Sequence, residues 1–205
     1  MSGMEGQTAA RCTWVDLSKP DYVAYHDEEW GVPQLDDNKL LEALCLEGAQ
    51  AGLSWYTILK KREGYREAFS QFNLVEAASY SESDISLLLS DSRIVRHEGK
   101  IRSVVSNAKA GLRCVSELGS FKAFIWSTWA CCSGDQPYKI FSERMKKAGF
   151  KFVGPKTLES FAQAIGLVNH HSQKCFRYPV IESLRQNSYP IPDWDGVGKK
   201  ISIII

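Results

Sequence analysis

Cys12 and His26 stand near the start of the chain, and His171 and Cys175 stand near the far end of its helical region. Two thiolates and two imidazoles form a donor set that zinc takes in closed, tetrahedral structural sites. His171 and Cys175 are spaced i, i+4, so a helix or helical turn aims both in one direction. A zinc ion held by all four would fasten the N-terminal segment onto the late helices. Spacing alone also admits four unrelated core residues, because 13 residues separate Cys12 from His26. His170 rivals His171 as a ligand, although on a helix it would point about 100° away from the face of Cys175. Cys131 and Cys132 offer a further, sequence-adjacent pair.

A second grouping is aromatic. Trp14, Tyr22, Tyr25 and Trp30 fall within seventeen residues, and Trp55 follows further on. Aromatic clusters commonly pack a core, yet this segment also carries His26-Asp27-Glu28-Glu29 and reads as irregular, which suits a pocket wall. Glu47 lies seven residues after Leu40 and three after Leu44, on the apolar stripe of a helix, whereas Glu42 falls off it. An inward carboxylate is costly unless it is paired, hydrogen-bonded or neutralised. Glu47 is therefore either half of a buried ion pair with an arginine, or an acid held among aromatic rings to meet a cation or a base edge.

The elements that must position these groups are helical. Asp36 and Asp37 can cap a helix running through Leu40, Leu41 and Leu44 to the Gln50-Ala51-Gly52 stop. Ser81 and Asp84 form a capping-box pattern ahead of Ile85, Leu88 and Leu89. Ile101, Val104, Val105, Ala108, Leu112 and Val115 keep helical spacing along one long element. Phe121, Phe124, Ile125 and Trp129 predict another helix, and Ile140, Phe141 and Met145 a shorter one. GFKFVGPKT, residues 149–157, reads as a tight hairpin between helices, the second of which carries Leu158, Phe161, Ala162 and Ile165. No sustained period-two alternation occurs, so the expected fold class is all-α. After Cys175 the chain gains Pro179, Pro190 and Pro192 and ends in an apolar ISIII, which predicts an extension wrapped on the surface.

The totals bound the function. The 205 residues suffice for one substantial domain or two small lobes sharing a cleft. With 25 basic and 24 acidic residues, attraction to nucleic acid can come only from local patches. Lys146, Lys147 and Lys151 flank the hairpin, and Lys60, Lys61, Arg62 and Arg66 make a second patch. No stretch approaches the ~20 apolar residues of a membrane span. The first ten residues lack the pattern of a secretory signal, which predicts an intracellular protein, in cytoplasm or nucleus. The six cysteines are then expected to be reduced, buried or metal-bound.

The strings RCTWV, YVAYHDEEWGVP, LEGAQAGLSWYTILKKREGYREAF, IVRHEGKI, GFKFVGPKT and QAIGLVNHH resemble the 3-methyladenine DNA glycosylase I family, in order, from about Arg11 to Cys175. The resemblance implies a helix-hairpin-helix glycosylase fold whose second lobe is stapled by zinc, joining the N- and C-terminal segments. It implies a structural zinc on Cys12, His26, His171 and Cys175. It assigns base recognition to Glu47 and the aromatic pocket to Trp14, Tyr22, Tyr25 and Trp55, with Trp30 beside them. Ala51-Gly52-Leu53 would be the loop that wedges into the duplex. The backbone amides of Gly149, Val153 and Gly154 would hold a DNA phosphate. The implied organisation is a flexible stretch over 1–10, a glycosylase domain over 11–177 and an extension over 178–205.

On this basis the expected activity is hydrolysis of the N-glycosidic bond of 3-methyladenine in double-stranded DNA, by a monomer without membrane contact. Other members of the wider superfamily use an aspartate soon after the hairpin, but LVNHHSQKC, residues 167–175, holds no carboxylate. Poor processing of neutral bases follows. His170 stands where the family usually has aspartate, and residues from about 176 onward match nothing in it. The alternatives are a zinc-containing lesion reader without turnover, and a zinc hydrolase, which four protein ligands would disfavour.

Overall fold

The computed structural model describes residues 9–188, and helices, turns and loops account for all of them. The caps expected from the sequence form. The Asp36 side chain accepts from Lys39 N at the start of α2 (Asp37–Ala49). Ser81 and Asp84 close a reciprocal capping box on α5 (Glu82–Ser90). α6 (Glu98–Leu118) is the long central helix, and the His97 side chain caps it. α7 (Phe121–Ala130), α8 (Pro137–Lys147) and α9 (Pro155–Ala164) follow, with residues 149–154 turning between the last two.

Several elements lie where sequence periodicity gave no sign of them. The segment around His26 is α1 (Pro20–Ala24) continued by one wide π-helical turn over Tyr25–Glu29, not an irregular stretch. Such turns are rare and tend to mark functional positions. α3 (Trp55–Ala68) has an apolar stripe diluted by its basic run, and α4 (Leu74–Ala78) is too short to show a period. The segment after Cys175 is helical as well, as α10 (Arg177–Ser188). Pro179 falls in its first turn, where the missing N–H is not needed, so this proline does not break it. Ile181 is buried, and Arg185 donates to Gly166 O and Leu167 O, so α10 is tied down rather than draped on the surface. The remainder of the predicted extension, with Pro190, Pro192 and ISIII, lies outside the described residues.

The core is one large cluster in which α2 packs against α6, α9, α7 and α3. Leu40, Leu41 and Leu44 from α2 meet Ile101, Val104 and Ala108 from α6 and Phe161 and Ala162 from α9. A second, smaller cluster joins Cys12, Val15, Tyr25 and Trp30 to Leu59 and Cys175. No helix among the described residues is long and apolar enough to cross a membrane.

Candidate functional site

The π-helical turn carries His26 inward. Cys12 lies in the preceding segment, and a turn closed by Cys175 N on Ser172 O, 2.8 Å, brings His171 and Cys175 together. All four side chains are buried, and their donor atoms lie within 4.8 Å of one another. Cys12 Sγ is 3.6 Å from His171 Nδ1, and Cys175 Sγ is 3.5 Å from both His171 Nδ1 and His26 Nε2. A tetrahedral shell of two sulfurs at about 2.3 Å and two nitrogens at about 2.0–2.1 Å has edges of roughly 3.4–3.8 Å. Three of the donor pairs already stand at that spacing, so the cluster could hold a metal ion. His170 is exposed and outside it, as is Cys131, while Cys132 Sγ turns to Thr128 O.

The far nitrogen of each ring is already committed. His26 Nδ1 meets Asp27 Oδ1 at 2.7 Å, and Asp27 is gripped by Arg11 through Nε at 2.9 Å and Nη2 at 2.6 Å. His171 Nε2 meets Trp30 O at 3.0 Å. Such outer partners fix which nitrogen faces a metal. Burial lowers the His26 pKa and brings His171 down to about 4, favouring neutral rings that can donate a lone pair.

The aromatic residues build directly on this cluster. Trp30 packs edge-on to His171 with ring centres 4.5 Å apart, Trp14 packs on Trp30 at 4.9 Å, and Tyr22 on Trp14 at 5.2 Å. Tyr25 leans on Trp55 at 5.4 Å. Together with Glu47 these rings line a cavity of about 260 Å³, completed by Gln50, Ser160 and Gln163. Tyr25, Glu47 and Trp55 also line a neighbouring cavity of about 300 Å³. Glu47 is only 6% exposed, and among the described residues no hydrogen bond or ion pair reaches its carboxyl. Burial alone pushes its pKa up to about 8. Among the described residues the buried ion pair with an arginine is absent: Arg66 pairs with Glu42, and Arg62 with Glu29. Lys61 reaches Ser92 O, so most of the second basic patch is spent on internal ties. Trp55 Nε1 is buried without a partner among the described residues.

The remaining sequence-predicted residues lie beside α2. Gly52 has φ +81°, a backbone region that favours glycine, and Leu53 is 41% exposed on the same loop. In the hairpin, Gly149 has φ +92° and gives its N–H to Lys146 O at 3.0 Å, so its amide is already used. A Cβ there would lie 2.6 Å from the Arg113 guanidinium. Val153 is buried and its carbonyl takes the Ser142 hydroxyl, while Gly154 starts α9 with no side-chain cap. The N–H groups of Phe152, Val153 and Gly154 have no hydrogen-bond partner among the described residues. The hairpin touches α2 at Gly48, where an added Cβ would be 3.1 Å from Phe152 Cβ. Gln50, Ser160, Gln163, Arg11 and Asp27 were not singled out from the sequence. The signal for Asp27 was its adjacency to His26; that for Ser160 and Gln163 was their i, i+3 pairing off the apolar stripe of α9.

The described residues thus form an all-helical domain with a buried acid in an aromatic cavity and a Cys2His2 cluster beside it. The family model described as methyladenine glycosylase matches residues 14–178. DNA-3-methyladenine glycosylase 1 of Escherichia coli (strain K12) is 46% identical over 182 residues, spanning 82% of this chain and 97% of that protein. The crystal structure of a 3-methyladenine DNA glycosylase I superposes with a TM-score of 0.78 at 45% identity, covering 83% of this chain and all of that one. A variant 3-methyladenine DNA glycosylase I in complex with 3-methyladenine superposes at 0.76, with 35% identity and coverage of 82% and 97%. The chain belongs to the methyladenine glycosylase family.

Proposed function

We propose that this chain is a DNA repair glycosylase that hydrolyses the N-glycosidic bond of 3-methyladenine in alkylated double-stranded DNA. The observation that carries the proposal is Glu47, buried without a partner among the described residues at an aromatic cavity of about 260 Å³. Methylation at N3 makes the adenine cationic and weakens its bond to deoxyribose. The leaving group needs little protonation, and the enzyme's task is to select the flipped cationic base from neutral ones. The faces of Trp14, Tyr22, Tyr25 and Trp55 favour a delocalised cation by about 0.5–2 kcal/mol per contact. Glu47 adds a charge partner that a neutral adenine cannot match. Asn169, in the stretch without carboxylates, is occupied with Tyr178 O and Glu182, which fits a reaction without an aspartate base.

Ala51-Gly52-Leu53 is the proposed wedge into the duplex. The α8–hairpin–α9 unit is the proposed helix-hairpin-helix element, with Val153 and Gly154 offering amides to a phosphate and Gly149 forming its turn. A zinc ion on Cys12 Sγ, His26 Nε2, His171 Nδ1 and Cys175 Sγ would cross-link the two ends of the domain and leave no open position. The protein would thus act on DNA inside the cell. The test is release of free 3-methyladenine from methylated duplex; folded, zinc-loaded protein that releases none contradicts the activity and leaves a lesion reader.

A further inference from the structure

Lys100 is a buried ammonium that no carboxylate pairs among the described residues. It projects from α6 with 8% exposure. Its Nζ instead donates to two backbone carbonyls, Ala49 O at 2.8 Å and Ala51 O at 2.7 Å. Ala49 is the last residue of α2, and Ala51 is the first of the exposed loop that leads through Gly52 and Leu53 to α3. The end of a helix leaves carbonyls without partners and carries partial negative charge, so a cation there satisfies both the geometry and the field. The two carbonyls bracket Gln50, immediately after the turn that bears Glu47. Among the described residues, Lys100 makes the only side-chain hydrogen bond to residues 51–53. The loop's own bonds are local, Ala51 N to Gly48 O and Leu53 N to Gln50 O, and an added Cβ at Gly52 would meet nothing within 4 Å. Without Lys100, little would fix the loop's direction relative to the helix.

We propose that Lys100 is a positioning residue that holds Glu47 and the Ala51-Gly52-Leu53 loop in one fixed relation. Entry of the loop into the duplex and capture of the displaced base are thereby brought into register. The proposal rests on the assignment of Glu47 to base capture and of the loop to the duplex. Ordering of this kind acts on the rate of the bound complex, because small misplacements of reacting groups are expensive.

The test is single-turnover release of 3-methyladenine by the full-length, metal-loaded protein carrying Lys100→Met. The expected rate falls by about tenfold or more, with affinity for undamaged duplex unchanged because the proposed phosphate contact lies in the hairpin. If Lys100 works through Glu47, the double variant with Glu47→Gln is barely slower than Glu47→Gln alone. Losses that multiply in full, or a Lys100→Met protein as fast as wild type, overturn the role. Should Lys100→Met fail to fold, Lys100→Leu, which also removes the donor, gives the same comparison and the same deciding outcomes. An inactive wild type overturns the activity and this role together; an active wild type with an equally active variant overturns this role alone.

Discussion

Trp30 and His171 join the metal cluster to the aromatic cavity: their rings meet edge-on at 4.5 Å, and the carbonyl of Trp30 takes the Nε2 hydrogen of His171 at 3.0 Å. A single residue thus serves as outer partner to a proposed ligand and as pocket wall. Trp14 extends the connection, touching both Trp30 and His26. Geometry at the cluster is therefore geometry at the pocket.

Removal of the metal should loosen both. Purified protein is expected to carry about one zinc per chain, and Cys12→Ser to lose it. Elemental analysis checks the content. Thermal melting should show a lower midpoint for Cys12→Ser, with weakened affinity for free 3-methyladenine. Zinc-free protein that melts like the loaded form and binds the base equally well would contradict the coupling.

Trp14 is 37% exposed at the rim of the cavity, so its truncation should spare the fold. Trp14→Ala is expected to weaken binding of the cationic lesion about 2- to 30-fold, the range that one aromatic–cation contact supplies. Titration of lesion-bearing against undamaged duplex reads this directly. An equal loss on both duplexes would assign Trp14 to DNA contact rather than to the base.

Glu47 gives stability a definite pH dependence. Its pKa rises from 4.5 to about 8 on folding because burial disfavours the charged form. Between those values the folded chain keeps a proton that the unfolded chain has released, so stability falls as pH rises through the window. Glu47→Gln removes this dependence. Relative to wild type it should gain on the order of a few kcal/mol above the window, and the gain should shrink toward pH 4.5. Denaturant midpoints across this range check it, and parallel curves for the two proteins would contradict it. In the proposed role the ionised form meets the cation, so kcat/KM for 3-methyladenine release should also rise with pH through about 8.

Much of this was legible in the residues. Glu47 gave itself away by its place on the stripe of Leu40 and Leu44, because helical spacing fixes direction. Asp36, Ser81 and Asp84 marked helix starts that formed as expected, since capping is local chemistry. Cys12 and His26 could not be joined to His171 and Cys175 by spacing, because their meeting depends on how distant elements pack. The π-helical turn at His26 was invisible for the same reason: burial of Tyr25 and His26 decides it, not propensity. α10 was hidden by Pro179, whose cost vanishes in a first turn. The bond from Lys100 to two carbonyls left no trace in the sequence, because its partners are backbone.

The most direct measurement is the single-turnover rate of 3-methyladenine release from methylated duplex by wild type and by Glu47→Gln, followed in parallel with a duplex carrying the neutral base hypoxanthine. Wild type is expected to release 3-methyladenine fast and hypoxanthine little, and Glu47→Gln to keep its fold and metal but lose most of its preference for the cationic base. A Glu47→Gln variant with wild-type rate and selectivity would contradict the proposed role of Glu47.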